Sequence, residues 1–408
     1  MEPLLFLAHR LPYPPNKGDK VRSYHFLSHL ARRYRVYLGT FIDDPADWAH
    51  VGAVRELCVE AAVQPLGRWS RPAAGASALL RGEPVTLPYF RSAALKDWVR
   101  RVMERERITR AFVFSSSMAQ YAIDLPGVRT IVDFVDMDSA KWGEYAKHRG
   151  WPACALYRRE ARRLLDYERE VAARAAASIF VTDEETQRFR AEAPRVDGRA
   201  LTIRNGVDSA YYSPAQEFHS PFSPGERPVV FTGAMDYWPN IDGAVWFARE
   251  VLPLIRKTDP DVRFYAVGMN PDGAVRALAR EPGVVITGRV PDVRPYVAHA
   301  SVVVAPLRVA RGIQNKVLEA MAMAKPVVTT AACGAVLSAN PGIELACASE
   351  PREFAAFVRA LFDPERAGRM GALARSRVLR DYTWSASFQK LDTVLGPSSA
   401  PRPGMRAL

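Results

Sequence analysis

The sequence predicts an α/β protein with two doubly wound domains, each a parallel sheet covered by helices on both faces. Three observations lead to this prediction. The chain has 408 residues, more than the roughly 250 to 300 at which a single core stops growing. Short apolar runs alternate with stretches of helical spacing along most of its length. A segment rich in Pro, Ser and Gly, residues 211–228, separates these runs into two series and is expected to be the linker.

The apolar runs have the character of buried parallel strands, because β-branched residues are frequent and polar residues do not alternate with apolar ones. The first series reads PLLFLAHRL, RVYLGTF, RAFVFSS, TIVDFVD and ASIFVT. The second series reads PVVFTG, VRFYAVG, VVITG, ASVVVAP and KPVVTT. Helices are predicted to start at residues 239–240 and 291–292, where Pro precedes Asn or Asp, and to cover about 351–362 and 364–380.

We therefore predict an amino-terminal domain over residues 1–212 and a carboxyl-terminal domain over residues 213–382. A last helix at about 383–395 is expected to pack back on the first domain, and residues 396–408, with three Pro and two Gly, are expected to be disordered. Ligands of open parallel sheets bind beyond the carboxyl ends of the strands. Two such domains facing each other predict an interdomain cleft with binding loops on both walls.

Composition excludes several classes of protein. Apolar residues make up 48% and charged residues 25%, close to the globular average. The four cysteines lack C-x-x-C spacing, which argues against a zinc site and a disulfide framework. No signal peptide or membrane-spanning run is apparent, so a cytoplasmic protein is expected, at most peripheral to the inner membrane. The net charge of +12 is spread over both halves without an RNA-binding or zinc-finger signature, so no nucleic-acid partner is expected.

The segment RGIQNKVLEAMAMAKPVV, residues 311–328, predicts an anion site at the start of a helix. If the helix begins near Gly312, its free N–H groups and positive dipole end attract an anion, and Lys316 adds a formal charge. Glu319 shares one helix face with Lys316 and Asn315, where its carboxylate can accept hydrogen bonds from two ribose hydroxyls. This pattern is compatible with a nucleotide-diphosphate site. The alternative is a surface ion pair between Lys316 and Glu319.

Glycines follow three strands of the second series, at Gly233, Gly268 and Gly288. A glycine at the end of a strand lets the backbone approach a ligand closely, although it also ends strands for local reasons. Neither G-x-G-x-x-G after a strand nor G-x-x-x-x-G-K-[ST] occurs, which disfavours a standard dinucleotide fold and a P-loop.

The segment DFVDMDSAKW places Asp133, Asp136 and Asp138 after a strand of the first series. These carboxylates are expected to orient acceptor hydroxyls or to pair with cations, and we favour Asp136 for a catalytic role. The alternative for Asp138 and Ser139 is that one of them caps the next helix.

Two amino-terminal segments leave alternatives open. Gly18, Asp19 and Lys20 precede a predicted helix and read either as a phosphate-binding loop or as an ordinary turn. His25 and His29 are spaced i, i+4 on that helix but lack the Glu of H-E-x-x-H and a third ligand, so a structural role is favoured and no metal is expected.

Residues 95–110, LKDWVRRVMERERITR, combine apolar and basic residues on one predicted helix. Such a helix either rests on an anionic membrane or packs its apolar stripe on the sheet.

Several of these segments resemble a known family. RGIQNKVLEAMAMAKPVV, TIRNGVDSAYYSP and TGRVPDVRPYVAHASVVVAPL resemble motifs of the family 4 retaining glycosyltransferases, which have the GT-B fold of two facing Rossmann-like domains. Tyr212 stands in the aromatic place of the second motif. LPYPPNKGDKVRSYHFLSHLA, DFVDMDSAKW and TGAMDYWPNIDGAVWF are similar to the subgroup of sugar transferases associated with PEP-CTERM protein sorting and exopolysaccharide clusters.

The resemblance implies transfer of a sugar from a nucleotide-diphosphate donor to a glycan or lipid-linked acceptor, with no metal and no further cofactor. It implies that Glu319 holds the donor ribose, that Lys316 contacts the diphosphate, and that the backbone at Arg289 and Val290 reads the base. The segment PPNKGDK, residues 14–20, would close over the phosphates. The departing diphosphate is implied to help deprotonate the attacking hydroxyl.

This sequence departs from the family pattern at two places. Arg311 stands eight residues before Glu319, where the family often has Glu, and GAMDYWPN lacks the usual Arg and Lys. Arg311 or Arg204 is expected to supply the missing phosphate cation. Two other functions stay open: a sugar-nucleotide epimerase of the same fold, and a non-catalytic subunit that binds nucleotide or glycan.

Overall fold

The computed structural model describes residues 1–15, 18–66, 75, 77–78, 81–147, 150–309, 313–337 and 339–396. They form two compact units. The first contains Met1–Arg204 and the chain from Phe388 onwards, and the second contains Asn205–Ser387. Of the predicted tail, all but Gly396 lies outside the described residues.

The described part of the first unit contains a sheet of seven parallel strands in the order β3-β2-β1-β4-β5-β6-β7. The strands are β1 Pro3–Ala8, β2 Arg35–Ile42, β3 Glu60–Pro65, β4 Arg110–Phe114, β5 Arg129–Val135, β6 Ala177–Phe180 and β7 Ala200–Thr202. The direction of winding reverses between β1 and β4, as in a doubly wound fold. The apolar pattern of the sequence does not predict β3 and β7, the two strands at the edges of this sheet.

Helices cover this sheet because they carry apolar residues at helical spacing. They are α1 Gly18–Ala31, α2 Val51–Arg55, α3 Thr86–Tyr89, α4 Ala93–Glu106, α5 Asp138–Lys147, α6 Ala153–Arg174 and α7 Asp183–Glu192. The basic helix α4 starts where the Ser92 hydroxyl accepts the Leu95 N–H at 3.2 Å. Its apolar residues, among them Trp98 and Val102, are buried in the core, so α4 has no free apolar face.

The second unit contains a sheet of six parallel strands among its described residues, in the order β10-β9-β8-β11-β12-β13. The strands are β8 Arg227–Thr232, β9 Val262–Val267, β10 Val284–Gly288, β11 Val302–Ala305, β12 Val327–Thr329 and β13 Ala346–Cys347. Numbered from the start of the unit this order is 3-2-1-4-5-6, the Rossmann arrangement. The winding reverses between β8 and β11, which makes their carboxyl ends the expected binding position.

Helices cover the second sheet as well. They are α8 Trp238–Trp246, α9 Leu252–Arg256, α10 Gly273–Ala277, α11 Arg294–His299, α12 Asn315–Ala322, α13 Ala331–Ala335, α14 Pro351–Ala360 and α15 Pro364–Asp381. A π-helical turn, Phe247–Val251, joins α8 to α9. No helix in the described ranges has the length and apolar character needed to cross a membrane.

The last helix, α16 Trp384–Leu395, begins in the second unit and ends in the first. In the first unit the ring of His29 stacks on Phe388, with centroids 4.2 Å apart and planes at 9°. Asp392 lies 2.9 Å from His29 Nε2 and accepts a hydrogen bond from Arg33 at 2.8 Å. These contacts tie the end of the chain to α1, which carries His29 and is followed by Arg33.

A buried ion pair joins α1 to β5, an interior strand of the first sheet. Arg22 donates to both carboxylate oxygens of Asp133, at 2.7 and 3.2 Å, and neither side chain is exposed to solvent. Burial raises the pKa of Asp133, and the Arg22 charge opposes that rise. Asp133 also accepts the N–H of Val135 at 3.1 Å. The pair therefore supports the carboxyl end of β5, where Val135 has a positive φ of 67°.

We expect the substitution Arg22→Met to lower the free energy of unfolding by about 3 to 5 kcal/mol, because it leaves the Asp133 charge buried without a counter-ion. Urea unfolding measures this, and Arg22→Met with Asp133→Asn should recover part of the loss. The control is Arg100→Met, which removes an exposed pair with Asp97 and should cost under about 1 kcal/mol. Equal losses for the buried and the exposed pair would contradict the assignment.

Candidate functional site

The candidate site lies at the carboxyl ends of β8 and β11, where the winding of the second sheet reverses. Asn240 is on α8, which follows β8, and Lys316 is on α12, which follows β11. Lys316 Nζ donates to Asn240 Oδ1 at 2.6 Å, and Asn240 Nδ2 donates to the carbonyl of Ala234 at 2.8 Å. One lysine charge is therefore held at the position where Rossmann-like sheets bind ligands.

Helix α12 begins three residues later than the sequence predicts. Gln314 is extended, with φ −90° and ψ 107°, and its carbonyl accepts the first helical bonds from Val317 and Leu318 at 3.0 and 3.4 Å. Lys316 is thus the second helical residue and stands close to the positive end of the helix dipole. The predicted site residues Arg311 and Gly312 lie outside the described residues.

Two glycines shape the floor of this position. A Cβ on Gly268, whose φ is +153°, would overlap the carbonyl oxygen of Gly233. A Cβ on Gly233, whose φ is +156°, would come within 2.8 Å of both Lys316 Nζ and Asn240 Nδ2. Close packing within the protein therefore explains why glycine is needed at both positions. Their predicted contact with a donor stays a prediction.

The two charged groups of α12 have shifted pKa values. Burial lowers the pKa of Lys316 to about 8, an effect that Cys333 and Glu319 partly oppose. Burial raises the pKa of Glu319 to about 7, and the Lys316 charge works against that rise. Lys316 Nζ also lies 4.5 Å from the centre of the Phe231 ring. A partly desolvated ammonium group gains more from a bound anion than one in water.

Tyr212 is a partner of Glu319 that the spacing of residues in the sequence does not reveal. A hydrogen bond from its side chain lowers the pKa of Glu319. Burial and the Glu319 charge raise the pKa of Tyr212 itself, so the hydroxyl keeps its proton and donates. Tyr212, more than a hundred positions earlier in the chain, thus favours the charged form of Glu319.

Asn315 begins α12 and brings a further polar atom to the site. Its Oδ1 is buried and makes no hydrogen bond within the part of the chain that the structure describes. A buried carbonyl oxygen of this kind favours a donor from a ligand, since leaving it unpaired is costly.

The predicted base-reading residues Arg289 and Val290 follow β10. Arg289 is exposed and its Nη2 lies 3.7 Å from the Met269 sulfur, whereas Val290 packs on the core. Their backbone contact with a base stays a prediction.

The predicted phosphate cations of the first unit have protein partners. Lys20 is only 3% exposed and its Nζ lies 2.6 Å from Asp47. Arg204 pairs with Asp183 at the start of α7. The backbone of Gly18 and Asp19 forms the first turn of α1. Binding a donor with Lys20 or Arg204 would require each to share or exchange its carboxylate.

The three aspartates after β5 have different surroundings. Asp133 is in the buried pair with Arg22, whereas Asp136 and Asp138 both contact Lys141, at 3.0 and 3.2 Å. No group of three side chains suited to a metal ion occurs among the described residues. Asp136 is thus held by one cation and partly exposed, and its role toward an acceptor stays a prediction.

Comparisons with known proteins agree with this architecture. Residues 226–363 match the family model described as glycosyl transferases group 1. HepE from Anabaena, solved in complex with UDP, aligns with a TM-score of 0.67 and 15% identity over 96% of this chain and 98% of HepE. Sucrose-phosphate synthase from Thermosynechococcus elongatus aligns with a TM-score of 0.66 and 17% identity, over 96% and 97% of the two chains. No curated protein matches the sequence.

A third solved structure is WaaG, a glycosyltransferase involved in lipopolysaccharide biosynthesis, with a TM-score of 0.63, 16% identity and coverage of 97% and 100%. The fold is therefore GT-B, with two Rossmann-like domains, as the sequence predicts. The family match lies within the second unit, which carries Asn240, Lys316 and Glu319.

We expect Tyr212→Phe to raise the pKa of Glu319 above its value of about 7, because it removes a hydrogen bond to the carboxylate. The matched control is Tyr211→Phe, which changes the adjacent and more exposed ring. A carbon-detected NMR titration of the protein with labelled glutamate measures the pKa of Glu319. The Glu319 signal is assigned as the one that is absent in Glu319→Gln. An unchanged titration midpoint in Tyr212→Phe would show that the hydroxyl does not act on Glu319.

Proposed function

We propose that this protein is a glycosyltransferase that uses a nucleotide-diphosphate sugar. The observation that carries the proposal is the placement of Lys316 and Glu319 on one face of α12, at the winding reversal of a sheet in the glycosyltransferase group 1 region. The presence of UDP in the HepE structure supports a nucleotide-linked donor.

In the proposed site the helix start and Lys316 receive the diphosphate, and Glu319 accepts hydrogen bonds from the ribose. Asn240 fixes the ammonium group of Lys316 at 2.6 Å. During transfer the bond between the sugar carbon and the phosphate oxygen breaks, and the acceptor oxygen bonds to that carbon. The acceptor proton passes to the leaving diphosphate. The protein contributes by stabilising the negative charge that grows on the leaving oxygen.

The finer features of the proposal follow the family resemblance. We propose retention of configuration, no requirement for a metal, and an acceptor that is a glycan or a lipid-linked saccharide of exopolysaccharide synthesis. Asp136 is proposed to orient the acceptor hydroxyl, with Lys141 at 3.0 Å holding the carboxylate. A lipid-linked acceptor implies work at the cytoplasmic face of a membrane.

Assay of the purified protein with candidate nucleotide sugars tests the reaction class. Slow release of nucleoside diphosphate, accelerated by an acceptor, supports transfer. Interconversion of the sugar indicates the epimerase, and binding without turnover indicates a non-catalytic subunit. Either of these two outcomes would overturn the proposal.

We expect Lys316→Met and Glu319→Gln each to weaken binding of UDP roughly tenfold to a hundredfold, the range for hydrogen bonds to charged groups. Isothermal titration calorimetry measures the affinity. Lys325→Met is the matched control, because Lys325 is another lysine of this unit whose pKa is lowered by burial, and it donates to the Ala298 carbonyl at 3.0 Å. Unchanged affinity in both site variants, with wild-type Tm, would refute the site.

The affinity for UDP should also fall as pH rises through about 8, the pKa of Lys316. The sign follows from the charge, because a diphosphate stabilises the ammonium form, and that form is lost above the pKa. Titrations at pH 7, 8 and 9 measure the effect. In Lys316→Met this fall should disappear, and its persistence there would assign the pH dependence to another group.

A further inference from the structure

Helices α5 and α6 form a hairpin that extends beyond the carboxyl edge of the first sheet. The rings of Trp142 on α5 and Tyr157 on α6 have centroids 5.0 Å apart. Further along α6, the Tyr167 hydroxyl donates to the carbonyl of Ser116 at 3.3 Å, and Ser116 follows the end of β4. Residues 153–166 of α6 precede this contact and form roughly 20 Å of helix, at about 1.5 Å per residue.

One side of the hairpin is anchored to the rest of the unit. The buried carboxylate of Glu160 accepts the N–H groups of Val85 and Thr86 at 2.6 and 3.0 Å, and the Thr86 hydroxyl at 2.8 Å. Arg159 donates to the carbonyl of Glu83 at 3.3 Å. The hairpin thus has one covered side and a fixed position.

The far end of the hairpin, residues 145–147 and 150–158, is called the hairpin tip. Large apolar side chains are exposed there: Tyr145 by 55%, Trp151 by 85% and Leu156 by 44%. Trp142 supports the tip, since its ring packs edge-on against Tyr145 and Tyr157. Side chains of this size are normally more deeply buried, and a group of them marks an interaction surface.

Basic side chains surround the tip. Residues 141–147 and 150–163 contain six basic and two acidic side chains. Arg158, Arg162 and Arg163 are exposed, and within the described ranges they have no hydrogen bond or ion pair. Arg158 and Arg162 lie two residues on either side of Glu160, which places them on the face of α6 opposite its anchored side. These guanidinium groups are available to an anionic partner.

We propose that the hairpin tip docks on a bilayer that contains anionic lipids. Trp and Tyr favour the boundary between headgroups and acyl chains, and Leu156 adds an aliphatic side chain that gains from entering it. The three arginines suit lipid phosphates, because the guanidinium fork pairs with phosphate oxygens. An acidic glycan or a nucleic acid would match the arginines but leave the aliphatic part of the tip in water.

This surface differs from the basic helix that the sequence suggested for membrane contact. Helix α4 has exposed arginines, but its apolar residues are buried under the sheet. The tip exposes apolar side chains, and α6 exposes arginines within two turns of Leu156. The inference rests in part on the proposed lipid-linked acceptor. It identifies the hairpin tip as the surface that would contact the bilayer holding that acceptor.

Co-sedimentation of the full chain with vesicles tests the inference, with phosphatidylcholine alone or mixed with phosphatidylglycerol. Wild type should bind the mixed vesicles and lose binding at high salt. Trp151→Ala with Leu156→Ala, and separately Arg158→Gln with Arg162→Gln, should weaken binding roughly tenfold or more. The matched controls are Trp48→Ala, which changes another exposed tryptophan of this unit, and Arg100→Gln with Arg101→Gln on α4. Both controls should bind within roughly twofold of wild type.

Tip variants that bind like wild type, or controls that lose as much, would overturn the inference. Wild type that binds neither vesicle would overturn it too, as would binding to soluble alginate in place of vesicles, which would indicate an anionic glycan. UDP affinity, measured in solution without lipid, should be unchanged in the tip variants. Vesicle binding and donor binding are therefore separate results, and the failure of one does not imply the failure of the other.

Discussion

The hydrogen bond between Lys316 and Asn240 is the interaction on which the candidate site depends. The two residues are carried by helices that follow β8 and β11, and those strands are neighbours only because the winding reverses between them. An ammonium group in partly desolvated surroundings would otherwise be free to swing toward water. Asn240 holds it near Gly233, where the absence of a side chain leaves room for it. The strand order of the second sheet and the hydrogen bond from Lys316 to Asn240 thus place the lysine charge at the carboxyl ends of β8 and β11.

Much of the fold could be predicted because interior strands are recognisable in the sequence as continuous apolar runs. Strands such as β1, β8 and β9 are covered on both faces and read as apolar runs. The missed strands β3, β7 and β13 lie at sheet edges, where burial is one-sided or the strand is only two or three residues long. The sequence of β3, EAAVQP, has no run of β-branched residues, so it is recognisable as a strand only from its pairing with β2.

The candidate site was predictable only in part. Lys316 and Glu319 are three residues apart on a helix, a spacing that is visible in the sequence. Tyr212 and Asn240 reach them from distant parts of the chain, and local spacing contains no information about such contacts. Lys20 shows how a prediction from the sequence can claim too much. It belongs to a segment that reads as a phosphate-binding loop, but its charge is already paired with Asp47. A sequence shows which charges exist but not which carboxylates neutralise them.

Helix α16 ends in the first unit, and this affects the order in which the protein can fold during synthesis. Ribosomes release residues in order, so β1 to β7 and the whole second unit leave the exit tunnel before Phe388 and Asp392 do. Until then the α1 surface around His29 lacks the stacking and carboxylate partners it has in the finished protein. The first unit is therefore completed only after the second unit has been synthesised, and a truncation that removes α16 would leave that α1 surface uncovered.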